Sequence, residues 1–188
     1  MDVVNILGIA GSLRRNSYNR AALRAADLLK PDDARIEMFD LNGIPGFNQD
    51  EERNPPEKVV ELKSLVRAAD AILFVTAEYN YSIPGVLKNA IDWASRPYGE
   101  SVWDGKPAAI MGASIGMLGT ARAQYHLRQC CVFLNMHPLN KPEVMISNAA
   151  ERFDADGNLI DDNSKELIAE LLRSLVRWTR RINGAKAS

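Results

Sequence analysis

The sequence predicts an α/β fold with one parallel sheet of five strands and helices on both faces. Short runs rich in Val, Ile and Ala alternate with longer amphipathic segments along the whole chain. The most apolar run, AILFVT at residues 71–76, has no polar face, as expected of a central strand that is covered on both sides. Strict alternation of strands and helices requires parallel strands joined by right-handed helical crossovers.

The pattern predicts five strands and five helices. The strands are expected at residues 3–9, 35–41, 71–76, 107–114 and 142–147. Four helices are expected at residues 18–29, 57–70, 85–95 and 120–134, and a long fifth helix carries apolar residues between positions 167 and 182. In each helix the apolar side chains recur every three or four residues, which places them on one face.

Length and composition predict one globular domain over residues 1–188. Hydrophobic residues make up 46% of the chain and charged residues 25%, and the net charge of −1 argues against a nucleic-acid surface. No apolar run approaches the roughly 20 residues of a membrane span, and the start of the chain lacks the basic region of a signal peptide. The tail at residues 183–188 is expected to fray.

The cysteines and histidines offer little chemistry. Cys130 and Cys131 are adjacent and are the only two cysteines, so no disulfide is expected and a reducing cytoplasm is the simplest location. Both lie in a predicted helix, where packing is favoured over redox chemistry. His126 and His137 have no acidic or cysteine companions at metal-ligand spacing, and no metal site is predicted.

Three loops should meet at one edge of the sheet. In an open α/β sheet, ligands bind outside the carboxyl ends of the strands, where the strand order reverses. The loops after the first, third and fourth strands, at residues 11–19, 77–85 and 114–122, are all rich in glycine and polar side chains. Together they predict an extended planar ligand with a phosphate at one end.

The first loop, within GIAGSLRRNSYNR at residues 8–20, fits neither common phosphate motif. It has no GxxxxGK[ST] pattern and no GxGxxG pattern. Hydroxyl, amide and guanidinium side chains instead precede a helix, where they suit a terminal phosphate monoester: Ser12, Arg14 or Arg15, Ser17 and Asn19. The alternative is ordinary capping of the helix by Ser17 or Asn19.

The loop after the fourth strand is similar to another known glycine pattern. GASIGMLG at residues 112–119 resembles the fingerprint of short-chain dehydrogenases, but its last glycine comes one residue late and the loop follows the wrong strand. That family also needs a Tyr-x-x-x-Lys pair, and none of the five tyrosines has a lysine four residues later. This interpretation is rejected.

Three sequence blocks together resemble the NAD(P)H-dependent FMN reductases, and more narrowly the bacterial chromate/quinone reductase and azoreductase branch. The blocks are GSLRxxSxN (11–19), EYNYSIPGVLKNAIDW (78–93) and GASxGxxGxxR (112–122). The similarity continues through QYHLRQ (124–129) and NKPEVMI (140–146), so it covers nearly the whole chain. Ala77 departs from the family, which usually has proline there, and this removes a restraint on φ.

The resemblance implies a flavodoxin-like fold with strand order 2-1-3-4-5 and FMN at the switch between strands 1 and 3. One group of residues is implied to hold the FMN phosphate: Ser12, Arg14, Ser17 and Asn19. A second group is implied to flank the ribityl chain and the isoalloxazine ring: Glu78, Tyr79, Asn80 and Tyr81. A third group is implied to contact the ring edge: Ser114, Ile115 and Gly116.

The implied activity is that of an FMN-dependent oxidoreductase with NADPH or NADH as co-substrate. Hydride would pass by way of FMN to quinones, azo compounds or similar acceptors in a ping-pong mechanism, with no side chain acting as a nucleophile. Acceptor-site candidates are Tyr81, Arg122 and Tyr125. Arg122 and Tyr125 share a helix face, and they either form a polar network with Glu143 or face solvent.

Expected partners are small-molecule acceptors and other copies of the chain. Family members commonly form dimers and tetramers, so a homodimer or homotetramer is expected, with Trp93 either at the interface or in the core. Three other functions stay open: a flavodoxin-type electron carrier, a flavin reductase that supplies reduced FMN to a partner, and a non-catalytic flavin-binding module. A net charge of −1 gives a carrier little electrostatic steering.

Overall fold

One parallel sheet organises the computed structural model, which describes residues 3–186 and side chains to residue 184. Within these residues the strands are β1 (Val4–Ala10), β2 (Ala34–Phe39), β3 (Ala71–Val75), β4 (Pro107–Ala113), β5 (His137–Pro138) and β6 (Val144–Ile146). Their order is β2-β1-β3-β4-β5, and β6 also pairs with β4. The predicted α/β class and the strand order 2-1-3-4-5 are therefore confirmed.

Two short strands share the fifth position, where the sequence predicts one strand at residues 142–147. β5 pairs with the start of β4, and β6 pairs with the end of β4. Pro138 and Pro142 have no N–H to donate, so a continuous ladder cannot run through this segment. The consequence is that β6 braces the carboxyl end of β4, where a ligand is expected.

The helices are α1 (Tyr18–Leu29), α2 (Glu57–Ala68), α3 (Gly85–Ala94), α4 (Ala121–Phe133), α5 (Ala149–Arg152) and α6 (Asp162–Lys186). The sequence does not predict the four-residue α5. The other helices agree with the predicted ones to within two residues wherever both ends were predicted. α6 continues past residue 183, where the sequence predicts fraying, and residues 187–188 lie outside the described part of the chain.

The sheet has a hydrophobic core on each face because successive strand side chains point in opposite directions. On one face, Ile6 and Leu73 pack against apolar residues of α1 and α6. On the other face, Leu7 and Phe74 pack against apolar residues of α2, α3 and α4. Burial on both faces explains why the central strands show no polar alternation.

Two residues with alternative interpretations belong to the core. Trp93 is 1% exposed, and its indole N–H donates to the carbonyl oxygen of Pro45 at 2.8 Å, so it packs inside the chain and is not available as an interface anchor. Cys131 is also buried, and burial raises the pKa of its thiol to about 12. Burial raises the pKa of the neighbouring Cys130 thiol as well.

Candidate active site

The three polar loops meet at the carboxyl edge of the sheet, as predicted. They follow β1, β3 and β4, which are neighbours in the sheet. Hydrogen bonds join them directly: the Gly11 N–H donates to the Val75 carbonyl oxygen at 2.9 Å, and the Asn19 side chain reaches Ala113. The candidate residues on these loops therefore form one site.

Two buried serines line the loop between β1 and α1. The Ser12 hydroxyl oxygen accepts from the Arg14 N–H at 3.3 Å. The Ser17 hydroxyl oxygen caps α1, accepting from the N–H groups of Asn19 and Arg20 at 3.2 and 3.4 Å. Ser17 is thus a helix cap, as the alternative interpretation holds, yet in both serines the hydroxyl hydrogen stays available for an anion.

Positive potential collects at the same loop. The N-terminus of α1 carries partial positive charge, and no acidic residue lies in its first turn. The Arg14 guanidinium lies 5.5 Å from the centre of the Tyr18 ring, at the mouth of the loop. A bound anion would therefore meet hydroxyl donors, a helix N-terminus and a guanidinium together.

Asn19 lies close to this loop, but its side chain is directed elsewhere. It is 4% exposed, and its amide exchanges two hydrogen bonds with the backbone of Ala113, the last residue of β4. The amide N–H donates to the Ala113 carbonyl oxygen at 2.9 Å, and the amide oxygen accepts from the Ala113 N–H at 2.8 Å.

The loop after β3 forms a tight hairpin turn. Tyr79 and Ser82 exchange two backbone hydrogen bonds of 3.0 Å each, and the central residues Asn80 and Tyr81 have φ of 50° and 67°. These angles are those of a type I′ turn, in which asparagine is common and tyrosine costs roughly 1–2 kcal/mol. The turn holds the Tyr79 and Tyr81 side chains out towards solvent, 53% and 66% exposed.

Glu78 anchors this turn to α4 and does not point into the site. Its side chain is 5% exposed and accepts from the N–H groups of Arg122 and Ala123, both at 3.1 Å, at the start of the helix. It also pairs with the Arg122 guanidinium, whose Nε donates to Glu78 Oε1 at 2.6 Å. The guanidinium in turn lies 3.7 Å from the centre of the Tyr81 ring.

Replacing Glu78 with alanine should destabilise the fold by about 2–4 kcal/mol, because two helix N–H groups and a guanidinium lose their acceptor. Urea unfolding measures this loss. Glu61→Ala is the matched control, since Glu61 forms an exposed ion pair with Lys58, and such pairs contribute about 0–1 kcal/mol. Equal losses in the two variants would contradict the anchoring role of Glu78.

The loop after β4 is fixed on its outer side. The Ser114 N–H donates to Ile146 of β6, and the Ser114 carbonyl oxygen accepts from the Ala149 N–H at the start of α5. The Ser114 hydroxyl oxygen accepts from the Gly116 N–H at 3.1 Å, while Ile115 is exposed. The backbone around Ser114 is therefore held at a defined position beside the Tyr79–Ser82 turn.

The expected network on α4 divides in two. Tyr125 hydrogen-bonds Glu143, and this contact raises the pKa of the Tyr125 hydroxyl. Arg122 does not join this pair, because its guanidinium is committed to Glu78. The i and i+3 spacing correctly places both residues on one face, but it does not indicate which carboxylate each would meet.

Several contacts of the site were not predicted. Gly112 packs against Thr76 and Thr120 so closely that a Cβ atom would lie under 3.0 Å from oxygen atoms of both. The His126 ring nitrogen Nδ1 lies 3.0 Å from the Ser82 hydroxyl. Asn148, with φ of 48°, donates its N–H to the Gly116 carbonyl oxygen. Only the glycine gives a sequence signal, and that signal was attributed to a loop pattern.

The groups present fit FMN. A phosphate monoester requires donors and positive potential, which the loop between β1 and α1 supplies. The ring edge of a flavin carries oxygen and nitrogen acceptors, and the N–H groups of Asn80 and Tyr81 donate to no residue among those described. No group of three or more His, Cys, Asp or Glu in the described part of the chain could hold a metal ion. Among residues 3–186, no helix has both the length and the apolar character needed to cross a membrane.

Known proteins match this arrangement over nearly the whole chain. Residues 4–151 match the family model for NADPH-dependent FMN reductase. An NAD(P)H-dependent FMN reductase of Pseudomonas aeruginosa is 58% identical over 97% of this chain and 99% of its own length. A 2-hydroxy-1,4-benzoquinone reductase of a Burkholderia species is 42% identical over 94% and 97%. The solved structure of the flavoenzyme NAD(P)H:(acceptor) oxidoreductase FerB of Paracoccus denitrificans superposes with a TM-score of 0.87, at 35% identity over 95% and 98%.

Proposed function

Because the chain belongs to the NADPH-dependent FMN reductase family, we propose that it passes electrons from NADPH or NADH by way of FMN to quinones, azo compounds or similar flat acceptors. The same matches confirm the resemblance, the enzyme class and the pairing of FMN with a nicotinamide nucleotide. Reaction by a ping-pong mechanism is part of the proposal. The observation that supports it most is one open edge with an anion pocket at one end and exposed tyrosines at the other.

The residues divide the work between holding the cofactor and admitting substrates. Ser12, Arg14 and Ser17 would hold the FMN phosphate, because their donors face the loop opening. A second set would hold the ring: Tyr79, Asn80, Tyr81, Ser114, Ile115 and Gly116. Bound FMN supplies two-electron hydride chemistry, so that no side chain has to act as a nucleophile.

The open side of the site would receive the nicotinamide and the acceptor in turn. Tyr81, Arg122 and Tyr125 line this side in our proposal, and the Tyr81 ring and the Arg122 guanidinium already stack on each other. Arg122 keeps its orientation because Glu78 holds it from below. A flat substrate would therefore meet a cation–aromatic pair of fixed geometry.

Steady-state kinetics test the proposal. NADPH and NADH are each varied against a panel of quinones, azo dyes, chromate and free FMN. A ping-pong mechanism gives parallel lines in double-reciprocal plots, whereas intersecting lines would rule it out in favour of a ternary complex. In a parallel test without oxygen, NADPH should bleach the yellow protein rapidly. Bleaching that requires a partner reductase would instead indicate an electron carrier.

Asn80→Asp should lower the midpoint potential of the bound flavin by roughly 30–60 mV, because a carboxylate beside the ring edge opposes the gain of electrons. Reduction by NADPH should slow accordingly. Aspartate tolerates the positive φ at this position almost as well as asparagine. Asn80→Gly is the neutral control that also tolerates it. Equal potentials in the aspartate and glycine variants would show that charge at residue 80 does not reach the ring.

We also propose that one domain spans residues 1–188, that the chain forms a homodimer or homotetramer, and that it works in the cytoplasm. The exposed apolar side chains Ile115, Met117 and Leu118 beside the site support self-association. Light scattering coupled to size exclusion gives the number of copies, and a monomer at micromolar concentration would contradict this part of the proposal.

A further inference from the structure

The side chain of Asn19 occupies a position that a strand would otherwise fill. In β4, alternate residues turn their N–H and C=O groups towards opposite neighbours. Met111 faces β3, where its carbonyl oxygen accepts from the Thr76 N–H, and Gly112 and Ser114 face β6. Ala113 therefore faces β3 again, but β3 ends at Val75. The Asn19 amide takes both bonds that the next residue of β3 would have made.

This contact joins the two ends of the candidate flavin site. Asn19 lies two residues after Ser17, the cap of α1 and a proposed phosphate ligand. Ala113 directly precedes Ser114, the first residue of the loop proposed to meet the flavin ring. Both Ser17 and Asn19 are buried, so the link from the phosphate loop to the ring loop passes through the interior. No other described residue bonds the backbone N–H or carbonyl oxygen of Ala113 in this way.

We propose that Asn19 is a positioning residue that sets the spacing between the phosphate loop and the ring loop, and that its side chain does not bind phosphate. The inference rests on the proposed function, because it concerns the geometry of the same cofactor site. Its amide oxygen and one amide N–H are committed to Ala113, whereas the hydroxyl hydrogens of Ser12 and Ser17 are free to donate.

The proposal makes a distinction that FMN and riboflavin can reveal, because riboflavin is the same flavin without the phosphate. A side chain that binds phosphate matters for FMN alone. A side chain that positions the ring loop matters for both flavins equally. It also affects the midpoint potential, because that potential depends on how donors meet the ring edge.

The experiment measures fluorescence titrations of the apoprotein with FMN and with riboflavin, together with the midpoint potential of each complex. In Asn19→Ala we expect both dissociation constants to rise about tenfold, as loss of the net stabilisation of one or two hydrogen bonds implies. The ratio between the two constants should stay within about twofold of wild type, and the potential should shift. Arg14→Ala should weaken FMN about tenfold or more and leave riboflavin unchanged.

Asn89→Ala is the matched control for loss of a bridging amide. The Asn89 side chain also makes two short bonds to the backbone, accepting from the Phe47 N–H at 2.7 Å and donating to the Pro45 carbonyl oxygen at 2.8 Å. This variant should lower the melting temperature and leave riboflavin affinity and potential unchanged. A merely structural Asn19 would behave in the same way, and that result would overturn the proposal.

Asn19→Asp covers the case in which the alanine variant does not fold. Aspartate keeps the acceptor for the Ala113 N–H, loses the donor to the Ala113 carbonyl oxygen, and suits the first turn of a helix. Its affinity for riboflavin should still fall several-fold. A loss confined to FMN in Asn19→Ala, or unchanged riboflavin binding in both variants, would overturn the inference alone. A wild-type protein that binds neither flavin would overturn the proposed function and this inference with it.

Discussion

Replacing Arg14 and Ser17 together by alanine should raise the dissociation constant for FMN about 100-fold or more. The reason is that the phosphate loses a guanidinium and a hydroxyl donor, worth roughly 1.5–3 and 0.5–1.5 kcal/mol. Both groups lie at the start of α1, where the helix itself contributes only partial charge. Fluorescence titration of the apoprotein measures the change. Riboflavin affinity should hardly change, since the missing contacts concern the phosphate.

Two controls separate binding from stability and from general charge. Ser17 caps α1, so its replacement by alanine also costs about 1 kcal/mol of stability, whereas Ser17→Gly keeps most of the capping and still removes the hydroxyl. Arg35→Ala removes a positive charge near the opposite end of the sheet, since Arg35 pairs with Asn5 at the start of β1. It should leave FMN affinity unchanged. A double variant that stays fully loaded with FMN after dialysis would show that this loop does not hold the phosphate.

The sequence predicts the edge at which the site lies because that edge follows from topology. Apolar runs without alternation indicate a parallel sheet, and a parallel sheet brings the loops after β1, β3 and β4 together. The loop residues are then close in space although they are distant in sequence. Family resemblance adds the cofactor, and the comparisons with known proteins confirm it.

The roles of individual side chains could not be predicted in the same way, because they depend on contacts between distant residues. Asn19 reaches Ala113, 94 residues away, and Glu78 reaches Arg122, 44 residues away. Motif spacing shows only that such side chains lie at the site. Whether a polar side chain meets the ligand or a backbone group is decided by which strand ends first. Here β3 ends before β4, and the unpaired backbone of Ala113 then takes the Asn19 amide.

Prolines give a second reason for local differences. Pro138 and Pro142 split the fifth position of the sheet into β5 and β6. The apolar run at residues 142–147 is the stronger pattern and was therefore interpreted as the whole strand. The remaining short strand, His137–Pro138, is too brief for any periodic signal.

Replacing Gly112 with alanine should destabilise the protein by about 3 kcal/mol or more, the upper range for an overpacked core. The added methyl would lie under 3.0 Å from Thr120 Oγ1 and from the backbone carbonyl oxygen of Thr76. The carbonyl oxygen cannot rotate away, because it belongs to the end of β3. Any relief must therefore separate β4 from β3, which displaces the ring loop from the Tyr79–Ser82 turn. Urea unfolding measures the first effect, and riboflavin titration measures the second.

Gly46→Ala is the matched control, because a Cβ atom at Gly46 meets nothing within 4 Å, and its stability should change by no more than about 0.5 kcal/mol. The double variant Gly112→Ala with Thr120→Ala distinguishes the two contacts. It removes the side-chain clash and leaves the clash with the Thr76 carbonyl oxygen, so it should remain substantially less stable than Thr120→Ala alone. If Gly112→Ala were as stable as Gly46→Ala, the close approach of β3 and β4 would not be needed to hold the two loops of the flavin site together.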